Sequence, residues 1–320
     1  VNLITIAPAD YARDVLPQSR DLWADGRTFD DYVAEFHDVA GSSYGKRRFR
    51  TLGLHIDGIV ATSLKRYERA LRIGERTFDA IGIGAVFTPE PLRGRGYATA
   101  MLGMLLDHER AQGTDIAFLF TEIHPIFYER LGFITLPSRS ISLRADNLPG
   151  TKLDAVPITD RDWTAVRRCF DALDRRRQVA FTRSPTVWEW QRIGARSRAH
   201  EGQRVELHVK RGRTTVAYVF GRRVPRVDTF VLDEFAYTGD EGFDAIPALV
   251  RCAAGDLRRI GGWLPPDIAR AALPRGAVRR RTVGTLMIAP ISVAARAAWQ
   301  TIAPGILAAD ADLAWTADHV

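Results

Sequence analysis

Apolar positions recur along this chain with two different periods, and the switches between them divide it into elements. From Asp10 to Asp25 apolar residues return every three or four positions, which predicts a helical region interrupted near Pro17. Thr28 followed by Asp31 is a capping pattern for a second helix, Phe29 to about Ala40, and Gly41-Ser42-Ser43 then marks a loop. Two strands follow, Phe49–Ile56 and Ile59–Tyr67, joined at Asp57-Gly58, a dipeptide suited to the positive φ of a tight hairpin. Ala80–Thr88 is the next strand. A helix from about Leu92 to Gln112 lines up Met101, Leu102, Leu105 and Leu106 on one face, and Gly113 stops it. Ile116–Phe120 is apolar without alternation, as in a strand covered on both faces. A short helix at Ile126–Leu131 and a strand at Phe133–Leu136 complete the first half.

Asn147-Leu148-Pro149-Gly150 breaks the pattern and places a boundary there. The expected division is 1–146, 151–292 and 293–320. The second unit repeats the plan of the first. Helices are predicted at Asp160–Leu173, Thr186–Ala195 and Glu241–Arg259, and again from Pro266. Strands are predicted at Val205–Lys210 and Thr214–Phe220 (a hairpin about Gly212), Thr229–Tyr237, Ile260–Leu264 and Leu286–Ile288. An Ala-rich helix, Val293–Ile302, precedes the tail. The fold class is α/β (α+β): mixed sheets flanked by helices, in two copies.

Composition narrows the function classes. At 320 residues with 46% hydrophobic and 26% charged residues, the chain reads as globular protein with room for two cores. No apolar run is long enough for a membrane span and no signal-peptide pattern opens the chain, so the expected place is the cytoplasm. Cys169 and Cys252 are too few and too isolated for a disulfide framework or a metal site. The net charge of +7 raises the question of nucleic acid. Its densest runs, Arg175–Arg177 and Arg279–Arg281, lack interleaved aromatics and accompany no recognised nucleic-acid motif, so no nucleic-acid or membrane partner is expected. A homo-oligomer is compatible with the sequence.

The chemistry concentrates at Val86-Phe87-Thr88-Pro89-Glu90-Pro91-Leu92-Arg93-Gly94-Arg95-Gly96-Tyr97-Ala98-Thr99. A strand runs through a glycine turn straight into an amphipathic helix. The first N–H groups of a helix lack internal partners and carry the positive end of its dipole. Gly94 and Gly96 keep side chains away from an approaching anion, and Arg93 and Arg95 add charge at the mouth. This is a seat for a phosphate or pyrophosphate.

The segment Arg93–Ala98 resembles the Gln/Arg-x-x-Gly-x-Gly/Ala signature of the GCN5-related N-acetyltransferases. A second marker, Phe127-Tyr128-Glu129-Arg130-Leu131-Gly132-Phe133, resembles that family's Phe-Tyr-x-x-x-Gly-Phe segment. The resemblance implies acetyl-CoA as co-substrate, transferring its acetyl group directly to an amine, with the primary amine of a small molecule or amino acid as the favoured acceptor. It implies that Val86, Phe87 and Thr88, with Arg93, Gly94, Arg95, Gly96, Tyr97, Ala98 and Thr99, hold the cofactor at a splayed strand end. Phe87 is the implied N–H donor to the thioester oxygen and Tyr128 the implied general acid. A phenol with a pKa near ~10 donates a proton without being ionised at neutral pH.

The base is less determined. Glu122 is the first candidate, His124 lies beside it, and Asp79 and Glu90 bracket the other strand. The carboxylate of Val320 is a further possibility, by analogy with tandem relatives of the enhanced-intracellular-survival type. Asp30, Asp31, Glu35 and Asp38 form an acidic stretch suited to attracting a cationic amine, or simply a solvated face. In the second unit Tyr237-Thr238-Gly239-Asp240-Glu241-Gly242 stands where the phosphate turn would be, and its carboxylates oppose an anion. That copy is expected to have lost cofactor binding and to help wall the acceptor pocket. Transfer to a protein lysine or N-terminus, and non-catalytic sensing of acetyl-CoA, are the alternatives.

Overall fold

The structure, a computed structural model, describes residues 2–150, 153–309 and 312–320. Its first half runs β1 (Asn2–Ile6), α1 (Pro8–Asp14), α2 (Leu16–Trp23), α3 (Phe29–Gly41), α4 (Ser43–Arg48), β2 (Phe49–Ile56), β3 (Ile59–Ile73), β4 (Arg76–Phe87), α5 (Tyr97–Ala111), β5 (Ile116–Thr121), α6 (Ile126–Glu129), β6 (Ile134–Thr135) and β7 (Arg139–Arg144). The second half continues with β8 (Ala155–Pro157), α7 (Trp163–Asp174), β9 (Val179–Thr182), α8 (Pro185–Ser197), β10 (Gln203–Arg211), β11 (Thr214–Val224), β12 (Thr229–Tyr237), α9 (Gly239–Ala254), β13 (Arg259–Trp263), α10 (Asp267–Arg270), β14 (Ala277–Arg280), β15 (Thr285–Pro290) and α11 (Val293–Ala309). Among the described residues no helix is long and apolar enough to cross a membrane.

Local chemistry explains most boundaries. Thr28 caps α3, its hydroxyl accepting the Asp31 N–H at 3.1 Å. The predicted loop after Ala40 shrinks to one residue: the Ser42 hydroxyl accepts the Gly45 N–H at 2.9 Å and starts α4 at once. Asp57 (φ 47°) and Gly58 (φ 84°) make the expected tight hairpin. The helix expected from Leu92 begins only at Tyr97, because the glycine turn at 94–96 is left-handed and cannot be helical.

Two mixed sheets carry the fold. The first is ordered β1-β2-β3-β4-β5-β15-β6, with β9 added to the end of β3, and the second β14-β7-β13-β12-β11-β10-β8. The halves therefore exchange strands. β7 ends the first unit in sequence yet pairs with β13 and β14, and β15, predicted to close the second unit, pairs instead with β5 and β6. Pattern alone could not assign either strand, since a strand of six residues suits either sheet. A cut at 147–150 does not separate two self-contained sheets.

A buried ionic cluster sits where these exchanged parts meet. Asp318 in the tail accepts from Arg183 at 3.0 Å and lies 3.4 Å from Arg69 on β3. Arg183 also reaches Glu234 on β12 at 2.6 Å, and the Tyr218 hydroxyl donates to Glu234 at 2.5 Å. Burial alone would raise the Asp318 carboxyl, but Arg183, Arg69 and Arg177 outweigh it and hold it below its ordinary value. Glu234 goes the other way, its pKa raised because burial outweighs Arg183. Next to this cluster the His319 ring packs on Phe120 at 5.1 Å and Trp263 at 5.8 Å.

Two outcomes follow. Asp318→Ala strands Arg69 and leaves Arg183 with one partner, and is expected to cost about 3–5 kcal/mol in urea unfolding. His319 has its pKa pushed down from 6.5 to about 4 by burial and by Arg198 and Arg281. Protonation therefore favours the unfolded chain: the contribution of His319 is complete above pH 6.5 and is lost as the pH falls toward 4. The ring is part exposed, so the loss should be about 2 kcal/mol rather than the full value of the shift. The unfolding free energies from urea titrations at pH 7 and pH 4.5 should converge by that amount in His319→Gln.

Candidate active site

A cleft of about 420 Å³ opens on one face of the first sheet, over β3, β4 and the end of β5. Its floor is shaped by backbone. β4 pairs in parallel with β5 only as far as Ile83 and Leu119, after which the strands part. On the other side β4 is in register with β3 at Gly84–Lys65 and again at Phe87–Ser63, with a bulge between. Ala85 sits in that bulge at φ 48°, a conformation that costs a non-glycine residue on the order of 1–3 kcal/mol. Sequence reading singled out Val86, Phe87 and Thr88 and missed Ala85, which carries no side-chain signal.

The predicted residues fall into place around this floor with different surroundings. Phe87 is back in the β3 ladder, its carbonyl accepting the Thr62 hydroxyl at 2.8 Å and its ring edge-on to Trp23 at 6.0 Å. Thr88 donates to the Thr62 hydroxyl at 2.9 Å. The turn beyond has Gly94 at φ 75° and Gly96 at φ 78°, and a Cβ built at either would meet nothing within 4 Å. Open space thus lies over the N-terminus of α5. Ala100 donates to the Gly96 carbonyl at 2.9 Å, so the N–H groups of Tyr97, Ala98 and Thr99 precede the first intrahelical bond. Arg93 and Arg95 are exposed beside them, and Arg93 Nε donates to the Thr88 carbonyl at 3.1 Å. These groups fit a pyrophosphate. The other end of α5 is tied to the sheet by Glu109, which accepts from Arg66 at 2.6 and 3.0 Å.

Tyr128 lines the cleft from α6, stacked edge-on between Phe127 (4.8 Å) and Phe133 (6.0 Å), and burial pushes its phenol up to about 12. Glu122 stands at the cleft mouth just past β5, its carboxyl raised by partial burial and then by Asp25. Val320 lies across β4: a Cβ at Gly84 would meet its carbonyl carbon at 3.1 Å. The remaining acid-base candidates sit apart from the cleft lining. His124 is exposed and its Nδ1 accepts the Ile126 N–H at 3.3 Å. Asp79 lines a separate groove with Arg66 and Glu109, and Glu90 is exposed in a single 3₁₀ turn. Of the acidic stretch on α3 only Glu35 enters the cleft, where it is already paired with Arg27 and accepts the Ser197 hydroxyl at 2.6 Å. Asp30, Asp31 and Asp38 face solvent.

The second half helps close this site. Trp190, Gln191 and Arg198 from α8 and the turn after it, with Ala317 and His319 of the tail, line the cleft. Its own counterpart of the phosphate turn is different in kind. Glu241 pairs with Arg211, and a Cβ on Gly242 would collide with the Val216 carbonyl at 2.2 Å. The first turn of α9 is packed against β11 and carries acid where α5 has open space.

Residues 10–135 match the family described as acetyltransferase (GNAT) domain. No curated protein sequence matches the chain. Among solved structures, a GCN5-related N-acetyltransferase from Anabaena variabilis superposes with a TM-score of 0.73 at 14% identity, over 92% of this chain and 74% of that one. The tandem GNAT protein from the clavulanic acid biosynthesis pathway gives 0.52 at 12% identity, over 91% and 98%. Saccharomyces cerevisiae N-myristoyltransferase with bound myristoyl-CoA gives 0.56 at 8% identity, over 90% and 78%. At these identities the likeness is one of fold.

Arg93 and Arg95 are exposed at the turn and pack no core. Arg93→Ala with Arg95→Ala should weaken CoA binding by roughly 10- to 100-fold in calorimetry and flatten its salt dependence, with the melting temperature unchanged. Residues 10–135, which hold the glycine turn, thus match an acetyltransferase (GNAT) domain, and the chain as a whole has the mixed α/β fold of GNAT N-acetyltransferases, a tandem GNAT protein among them.

Proposed function

We propose that this protein is an acetyl-CoA-dependent N-acetyltransferase acting on the primary amine of a small molecule. The observation that carries the reading is one continuous stretch of backbone. The parting of β4 from β5, the strained bulge at Ala85 and the open glycine turn before α5 follow one another along residues 83–99. A thioester laid at the bulge would have its pyrophosphate over the α5 N-terminus. The yeast relative holds myristoyl-CoA, which supports an acyl-CoA as the ligand here.

In the proposed step the amine nitrogen attacks the thioester carbonyl carbon. N–H groups of the Val86–Phe87 stretch face the developing oxyanion, a role for fixed backbone dipoles. The C–S bond then breaks, the sulfur takes the Tyr128 proton, and the proton lost by the amine goes to Glu122 directly or through water. The nitrogen–carbon bond replaces the carbon–sulfur bond, and CoA thiol leaves. Most of the advantage comes from holding the two reactants together.

A small acceptor fits the closed side of the cleft. Trp190, Gln191, His319 and Val320 line the cleft from the second half and the tail, which supports a small acceptor over an extended peptide. The site is accordingly less suited to a protein lysine.

Tyr128→Phe should lower kcat by roughly 10²-fold with the acetyl-CoA KM unchanged. Because Glu122 titrates above the usual 4.5, kcat/KM should fall on the acid side as it takes up its proton, and Glu122→Gln should lower the plateau. Free CoA release across a panel of amines, amino acids, aminoglycosides and lysine peptides tests the reading. Turnover of a small amine, reduced in Tyr128→Phe, supports it. Calorimetric binding of acetyl-CoA without turnover of any acceptor would favour a sensing role instead.

A further inference from the structure

One charged group in the cleft is matched by nothing the transfer step requires. Lys65 lies on β3 opposite Gly84, at the start of the bulge, and its side chain lines the cleft. Its ammonium sits among the rings of Phe36 (5.4 Å), Tyr32 (5.8 Å) and Tyr11 (5.9 Å). Among the described residues it makes no ion pair, and the nearby Glu35 is engaged by Arg27 and Ser197. Burial, with Arg27 adding repulsion, brings its pKa down to about 8, so at neutral pH it is still mostly a cation. An ammonium held in such surroundings without an anion is costly, and aromatic faces compensate only in part.

Tyr32 is 3% exposed and lines the same cleft through its ring, with its hydroxyl beside Ser19. An ammonium without a counter-charge offers what a carboxylate needs.

Glu122 follows β5 on the other side of β4, and Asp25, which raises its pKa and also lies near Tyr32, lines the cleft with it. The order β3-β4-β5 therefore puts Lys65 and Glu122 on opposite flanks of the bulge. A cavity of about 420 Å³ that must also admit the acyl end of the cofactor leaves room for a molecule of amino-acid size.

We infer that the acceptor carries a carboxylate as well as its amine, and that Lys65 binds that carboxylate while the amine points toward Glu122. The inference rests on the transferase reading of the cleft. It makes Lys65 a specificity-determining residue that takes no part in bond breaking.

The test compares amines that differ only in the carboxylate: 4-aminobutanoate with propylamine, 5-aminopentanoate with butylamine, and leucine with isopentylamine. CoA release is measured for wild type, Lys65→Met and Lys65→Arg. At least one carboxylate-bearing amine should exceed its partner by 10-fold or more in kcat/KM. Lys65→Met should collapse that ratio toward one, chiefly through KM, and Lys65→Arg should restore part of it. Equal or faster turnover of the plain amines throughout, or a ratio unchanged in Lys65→Met, overturns the proposal. If no amine is turned over, the transferase reading fails, and the carboxylate seat is judged separately. Calorimetry with CoA present would then compare N-acetylleucine and 4-acetamidobutanoate with N-isopentylacetamide. Preferential binding of the acids that Lys65→Met removes sustains the seat, and no preference overturns it.

Discussion

The ionic cluster of Arg69, Asp318, Arg183 and Glu234 is the constraint on which the cleft depends. Charges this deep are stable only when every member has a partner, because each alone would carry the desolvation cost of several kcal/mol. Arg69 comes from β3, Arg183 from the residue after β9, Glu234 from β12 and Asp318 from the tail. The partners must therefore arrive together from both halves. Once Asp318 is seated, the chain on either side of it has little choice. Trp315 packs against Phe235 at 5.2 Å, His319 lies on Phe120 and Trp263, and Val320 is laid over Gly84. One buried carboxylate in this way fixes a wall of the site at some distance from itself.

The strand exchange belongs to the same logic. With β15 inside the first sheet and β7 inside the second, neither half completes its sheet without the other. In the second fold the first turn of α9 is packed against β11, with Arg211 holding Glu241. What it supplies instead is α8, whose Trp190 stacks on Tyr44 at 5.1 Å and packs on Tyr67 at 5.5 Å, both in the first half.

Much of this could be read in the sequence, and what could not has a physical reason. The glycine turn at 94–96, the α5 stripe and the capped start of α3 are local, written in φ preference and side-chain period, and the structure has them within a few residues. β7 and β9 were missed because short strands of mixed polarity differ little from loops until their partner is known. β15 was recognised as a strand but given to the wrong sheet, since pairing over 160 residues of sequence leaves no local trace. Tyr128 is picked out by its motif position and Glu122 by its place at the end of β5, and both line the cleft. Ala85 is not picked out, because its importance lies in a backbone angle. Lys65 is not, because a lysine in an apolar strand looks like any solvated residue until the rings of α1 and α3 close around it.

The central claim is that residues 83–99 form one continuous acyl-CoA site, thioester at the bulge and pyrophosphate at the α5 N-terminus. A crystal structure of the protein with acetyl-CoA bound tests it most directly. The account predicts the pyrophosphate within hydrogen-bond distance of the Gly96–Thr99 N–H groups and the thioester between β4 and β5 beside Ala85–Phe87, within reach of Tyr128. A cofactor bound elsewhere, on the second half or in the groove lined by Arg66 and Glu109, would contradict it.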